Sequence, residues 1–149
     1  MRIRGVHQDY YVDVEEVAGA KVYLRDLDED QFAEFMRRTQ SLRRLLKLDA
    51  DVPFTLEGFV QHITQLHLSF EEELELRRAV YGLVSWLLEQ GVASWDVCDD
   101  EGKPVPVTPQ TLAGLPTSLK SRLAQRIIEL SQLTLGEAQF PGTAGAGTG

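Results

Sequence analysis

The sequence predicts a mainly α fold with one or two small β-hairpins, an α+β arrangement forming a single compact helical domain. Three observations carry that expectation. Apolar residues recur at helical spacing behind capping residues, two short segments near the N-terminus alternate in polarity, and prolines and glycines punctuate the stretch after residue 91. With 149 residues, 43% hydrophobic and 26% charged, the chain is long enough to bury one core and too apolar to stay unfolded. The expected organisation is one domain over 1–140 followed by a flexible Gly-rich tail over 141–149, which has nothing to bury.

An N-terminal β-ribbon is expected over about 9–25. Tyr10, Val12 and Val14 fall on one face of a strand, and Asp13 and Glu15 fall on the other. Val22 and Leu24 repeat the pattern, so the chain should turn near Gly19. Two strands alone are marginal in water, and the ribbon therefore needs helices beneath it or a third strand, from residues 1–5 or from a second molecule.

The helical body should occupy about 28–90. Asp28 can cap a helix with Glu29 and Asp30 in its first turn and Arg43, Arg44 and Lys47 near its end, the charge order that the helix dipole favours. Phe32, Phe35, Met36, Thr39, Leu42 and Leu46 form its packing stripe. Pro53 breaks the chain, and Thr55 then caps a shorter helix carrying Leu56, Phe59, Val60 and Ile63. Ser69 and Glu72 have capping-box spacing and open a long helix to about Gln90. Its second half, 80–88, is apolar nearly all round, which suits a central helix or one that meets a partner. Gly91 is expected to end it in a left-handed conformation.

A C-terminal hairpin plus helix is expected over about 91–140. Residues 94–98 and 103–107 flank the turn-rich 99–102, and Pro104 and Pro106 confine any strand here to an edge. Thr108 and Pro109 open a brief helical turn. Leu115-Pro116 then restarts the chain into an amphipathic helix carrying Leu119, Leu123, Ile127, Leu130 and Leu133. A further capping signal at 134–137 leads to Phe140 as a terminal anchor.

No catalytic, metal or cofactor-binding site is expected, and the residues that come nearest to one each have a simpler role. Asp26, Asp28 and Asp30 resemble the start of a calcium loop, but Gln31 stands where the turn glycine belongs and Arg37 where the bidentate glutamate belongs, so helix capping is the better reading. His62 and His67 lie about 140° apart on a continuous helix and do not pair for zinc. The chain has one cysteine, Cys98, which excludes an intrachain disulfide; a buried or inert thiol is the expectation for it. There is no nucleophile elbow, Walker loop or dinucleotide-binding glycine motif. The net charge of -8 disfavours nucleic acid and anionic lipid as partners. The basic group Arg37, Arg38, Arg43, Arg44 and Lys47 is read as the complement of a helix C-terminus. Residues 1–7 carry charge without a following apolar stretch, and the most apolar run, 79–88, is far shorter than the ~20 residues that span a bilayer, so a soluble cytoplasmic protein is expected.

The order Gly91-Val92, Ser94-Trp95-Asp96-Val97, Glu101-Gly102-Lys103-Pro104, Thr108-Pro109-Gln110-Thr111-Leu112, Leu115-Pro116 resembles the C-terminal part of small tail-assembly chaperones of long-tailed bacteriophages. That resemblance implies a non-enzymatic, acidic, helical viral protein of the host-cell cytoplasm. Such a protein holds the aggregation-prone tape-measure protein, recruits tail-tube subunits, and in many relatives is also made as a longer frameshifted product. It implies no cofactor and leaves oligomerisation open. On this reading Trp95, Val97, Leu115 and Leu119 are candidate partner-binding residues, weighed against a role in defining the fold. The alternative is a structural virion component such as a head-tail connector or tail-completion subunit. Another is an enzyme built on Cys98 with a histidine and a carboxylate.

Overall fold

The structure, a computed structural model, describes residues 11–14, 20–49 and 51–132. Strands β1 (Tyr11–Val14) and β2 (Ala20–Leu24) are followed by helices α1 (Glu29–Leu46), α2 (Leu56–Gln65) and α3 (Phe70–Gly91). Strand β3 (Val92–Trp95) then leads to α4 (Pro109–Ala113) and α5 (Thr117–Ser131). The α+β fold class read from the sequence is the fold observed. The expectations placed on residues 1–10, 15–19 and 133–149 lie outside the described residues.

The helix starts follow from local chemistry. Asp28 accepts from Gln31 N at 2.8 Å while the Gln31 side chain accepts from Asp28 N at 3.0 Å, a reciprocal cap with glutamine in the third position. Thr55 caps α2 through Gly58 N, and Ser69 and Glu72 close the box at the start of α3. At the other end of α1, Lys47 adopts a left-handed conformation with φ 58°, and its N–H reaches the Arg43 and Arg44 carbonyls. His62 Nε2 lies 2.8 Å from the Leu46 carbonyl, and Arg43 donates Nε and Nη2 to the Val52 carbonyl at 2.9 and 2.7 Å. Two side chains thus satisfy carbonyls around the turn from α1 into α2. Burial pushes the Arg43 guanidinium below its ordinary pKa, an effect that nearby Asp51 opposes.

β2 is the central strand of a three-stranded antiparallel sheet, order β1-β2-β3. Val12 pairs with Val22 on one side, and on the other Val22 pairs with Trp95 and Leu24 with Val92, with a register shift between Tyr23 and Leu24. The third strand therefore comes from the segment directly after α3, and it satisfies the ribbon's need for a further strand within the chain. Because residues 92–95 are used in this way, the expected second hairpin contracts to a single bridge, Cys98 with Pro104, backed by Val105 N to Val97 O at 2.9 Å. The prolines at 104 and 106 have no N–H with which to extend the ladder.

α3 is the hub, packing against α1, α2, α4 and α5. Its apolar second half supplies buried Val80, Leu83, Val84, Leu87 and Leu88 to a core shared with Val22, Leu24, Phe59, Leu123 and Ile127. Phe35, Phe54 and Phe59 add an aromatic row with edge-on ring contacts at 6.2 and 4.9 Å. Of the stripe expected on α1, Phe35, Thr39, Leu42 and Leu46 are buried, whereas Met36 is 42% exposed.

Gly91 corrects one expectation. It closes α3 as a buried helical residue, and the extended Val92 follows it as the cap. Gly102, with φ 81°, is the described glycine of positive φ. What Gly91 supplies is room: a Cβ there would lie 2.4 Å from Ile127 Cδ1, 2.6 Å from Cγ1 and 2.7 Å from Cγ2. Both branches of a stiff β-branched side chain would be struck, so no rotation of Ile127 relieves the clash. Nearby, Ser131 Oγ in the buried last turn of α5 accepts from Leu27 N at 2.9 Å and donates to the Ile127 carbonyl at 2.7 Å.

Two stability predictions follow from these contacts. Gly91→Ala should lower the unfolding free energy by about 1–3 kcal/mol in urea denaturation, and the Gly91→Ala/Ile127→Ala pair should lose less than the sum of its single variants. Ser131→Ala should cost about 1–3 kcal/mol by leaving the Leu27 amide buried without an acceptor. Additive losses in the first case, or wild-type stability in the second, would show that these contacts are slack.

Candidate partner-binding groove

All the buried residues of α3 fall between Val80 and Gly91; the ten residues before Val80 include none. Its surface opens toward α1. Arg38 of α1 stacks over the Trp86 ring of α3 at 4.7 Å, whereas Leu45, two turns further along α1, shares a hollow with Leu76. The two helices therefore run antiparallel, and between them lies a cleft of about 520 Å³ whose walls include Leu42, Leu45, Ala79, Gly82 and Leu83, with Arg37 and Arg38 among its lining.

A second hollow of about 400 Å³ is lined by Leu45, Lys47, Leu66, Leu68, Glu72, Glu75 and Leu76. Leu45 belongs to both, so the two hollows adjoin at it and make a shallow groove along the α1/α3 face, with leucines in its walls and charged residues toward its ends. Leu45, which lines both hollows, is 60% exposed. A large apolar side chain left in water beside a shaped depression makes this surface a candidate for a partner.

Gly82 forms part of the floor. A Cβ placed there would meet nothing within 4 Å. An exposed glycine inside a helix costs about 1 kcal/mol relative to alanine, and neither a turn nor a tight packing contact accounts for this one. With Ala79 one turn before it, it lowers that side of α3. Gly91 and Gly82, nine residues apart on one helix, thus differ in kind: the first makes room for Ile127, the second leaves room that the described chain does not fill.

The Arg37 and Arg38 end has a defined charge. Both guanidiniums engage one carboxylate, Glu34, with Arg38 Nε at 2.7 Å from Glu34 Oε2. The hydrogen bond from Arg37, followed by that from Arg38, holds the Glu34 carboxyl at about 2, below its ordinary value of 4.5. At the other end, Glu72 and Glu75 stand over the hollow with Lys47.

Comparison with protein-family models, with curated proteins and with solved structures returned no match.

The residues singled out from the sequence lie elsewhere. Leu119 is 0% exposed and Val97 is buried, so their apolar side chains serve the core. Leu115 and Trp95 are half-buried against it, and Trp95 Nε1 donates to the Val105 carbonyl at 2.6 Å, pinning the 96–107 loop. These four are singled out by the resemblance; the chain itself covers Val97 and Leu119, and Trp95 and Leu115 keep part of their surface exposed. Asp28 is the cap of α1. Cys98 is exposed, so of the two alternatives expected for it, buried or inert, burial does not hold; its thiol lies 3.8 Å from the Asp96 carbonyl oxygen. No described cluster of three or more His, Cys, Asp or Glu residues is placed to hold a metal ion, and no described helix is long and apolar enough to cross a membrane.

The Glu34 cluster makes a pH prediction. Its folded pKa is depressed, so its contribution is complete above the ordinary carboxylate range and is lost as pH falls from about 4.5 through about 2. The charge at this end of the groove should stay constant from neutrality to pH 5. In an NMR titration, the Glu34 side-chain carboxyl should show a midpoint near 2; a midpoint near 4.5 would mean that the guanidiniums do not hold it.

Proposed function

We propose that this protein is a non-enzymatic assembly chaperone of the phage-tail type, acting in the host-cell cytoplasm, and that it shelters hydrophobic helices of its client in the α1/α3 groove. The observation that carries the binding role is Gly82: a position where alanine would favour the helix instead keeps open the floor of an apolar cleft. Helix-in-groove recognition uses this shape, with anchors at i, i+3 or i+4, and i+7 entering a hydrophobic trough. Tape-measure and tail-tube proteins are proposed as clients on the resemblance of residues 91–116 to tail-assembly chaperones.

In this reading the work is divided between two parts of the chain. The segment after Gly91 completes the sheet and packs α5 under α3, while the client meets the opposite, α1-facing side of α3. That side offers mostly apolar contact, which suits a chaperone that must accept helices of varied sequence and release them during assembly.

Gly82→Leu separates folding from function. It fills the cleft with a side chain from an exposed helical position, so the melting temperature should equal or exceed that of the wild type. Co-expression with a tape-measure segment should give a soluble complex for the wild type and insoluble client for the variant. If Gly82→Leu keeps the client soluble as well as the wild type does, the groove is not the client site. If the protein instead remains in purified virions in stoichiometric amounts, the chaperone reading gives way to that of a structural virion component.

A further inference from the structure

The protein carries a net charge of -8, which by itself would select a uniformly basic partner. The groove is not uniformly acidic. At one end, Arg37 and Arg38 share the single carboxylate of Glu34, leaving one net positive charge. At the other, Glu72 and Glu75 face Lys47 across the second hollow, leaving one net negative charge. Glu75 is exposed and forms no ion pair among the described residues. Between these ends the floor is apolar, formed by Leu42, Leu45, Ala79, Gly82 and Leu76.

We propose that the groove takes an amphipathic helix of opposite end charges, with a basic residue over Glu72 and Glu75 and an acidic residue beside Arg37 and Arg38. This rests on the α1/α3 groove being the client site and adds the chemistry of the client. Lys47, the C-cap of α1, lies nine positions after Arg38, about 14 Å along the axis at a rise of about 1.5 Å per residue. A docked helix therefore covers the groove with about two and a half turns. An apolar pair about one to two turns apart fills the two hollows, and the flanking charges fall over the two ends. A uniformly basic helix satisfies Glu72 and Glu75 but sets a cation beside Arg37 and Arg38, and a uniformly acidic helix makes the reverse mismatch. Both groove ends are exposed, so the charges set preference among helices while the apolar floor supplies most of the contact.

The probes are three fluorescein-labelled helical peptides of about fifteen residues sharing one leucine stripe: lysine at one end and glutamate at the other, lysine at both ends, and glutamate at both ends. Fluorescence anisotropy with the full-length protein at low salt should rank the mixed peptide tightest, by about three- to tenfold over either uniform peptide, with the gap closing in high salt. Glu75→Lys, an exposed substitution, should weaken the mixed peptide and strengthen the peptide with glutamate at both ends. Equal affinities, or a ranking untouched by Glu75→Lys, would overturn the end-charge proposal. Gly82→Leu distinguishes this failure from that of the groove itself. If it abolishes binding of all three peptides, the groove stands whatever the ranking; if it weakens none of them, or if none binds the wild type, the groove reading fails as well.

Discussion

Where α3 passes directly into β3, three parts of the chain meet at a separation that only glycine permits. The Gly91 Cα faces Ile127 of α5 at a distance with no room for a Cβ, and the Gly91 carbonyl accepts the Arg25 amide at 2.8 Å just beyond the end of β2. Val92 then starts the strand that pairs with Leu24. One residue thus sets how closely α5 approaches the hub helix and where the third strand begins. The Ser131 hydroxyl, one turn beyond Ile127, fastens the same helix to Leu27 at the entrance to α1. Sheet, hub and C-terminal helix form one packed unit because these contacts coincide, and a larger side chain at 91 would have to move either α5 or the strand.

This arrangement decides which surface is left. α3 packs against α5, α2 and α4 and leads straight into the sheet, yet its fully buried residues all lie from Val80 onward, so the side facing α1 keeps exposed positions such as Ala79 and Gly82. Packing that stopped there would leave an ordinary polar helix face. Instead Leu45, Leu68 and Leu76 line the depression, and Ala79 and Gly82 deepen it. The binding role proposed here depends on the contrast between the tight contact at Gly91 and the open one at Gly82, on a single rigid helix.

The fold was largely legible because its signals are local. Asp28, Thr55 and Ser69 begin helices where capping chemistry says they should, and alternation of Val12, Val22 and Leu24 marks the ribbon. The source of the third strand was not legible, because strand pairing is non-local and residues 92–95 follow a long helix from which the eye continues into the next turn. Gly91 was placed correctly as the helix end, but sequence cannot distinguish a glycine needed for its φ from one needed for its missing side chain. The groove was harder still. Leu45 lies beside the α1 stripe rather than in it, and Ala79 and Gly82 read as unremarkable small residues within an apolar run. Their one signal is the spacing of small residues three apart on a helix face with Leu45 opposite, and that pairing exists only once α1 and α3 are known to be antiparallel neighbours. Trp95, Val97, Leu115 and Leu119 stood out for the converse reason: they are the conspicuous apolar residues of the resembling segment, of which Val97 and Leu119 are buried and Trp95 and Leu115 half-buried against the core.

Methyl NMR of the full-length protein, titrated with a solubilised tape-measure segment, tests the central claim most directly. The account predicts that the methyl signals of Leu45, Leu68, Leu76 and Ala79 shift or broaden first, while those of Leu119, Leu123 and Ile127 stay in place. Perturbation centred on Val97 and Leu115, with the α1/α3 methyls unmoved, would contradict it and transfer the binding role to the segment that follows Gly91.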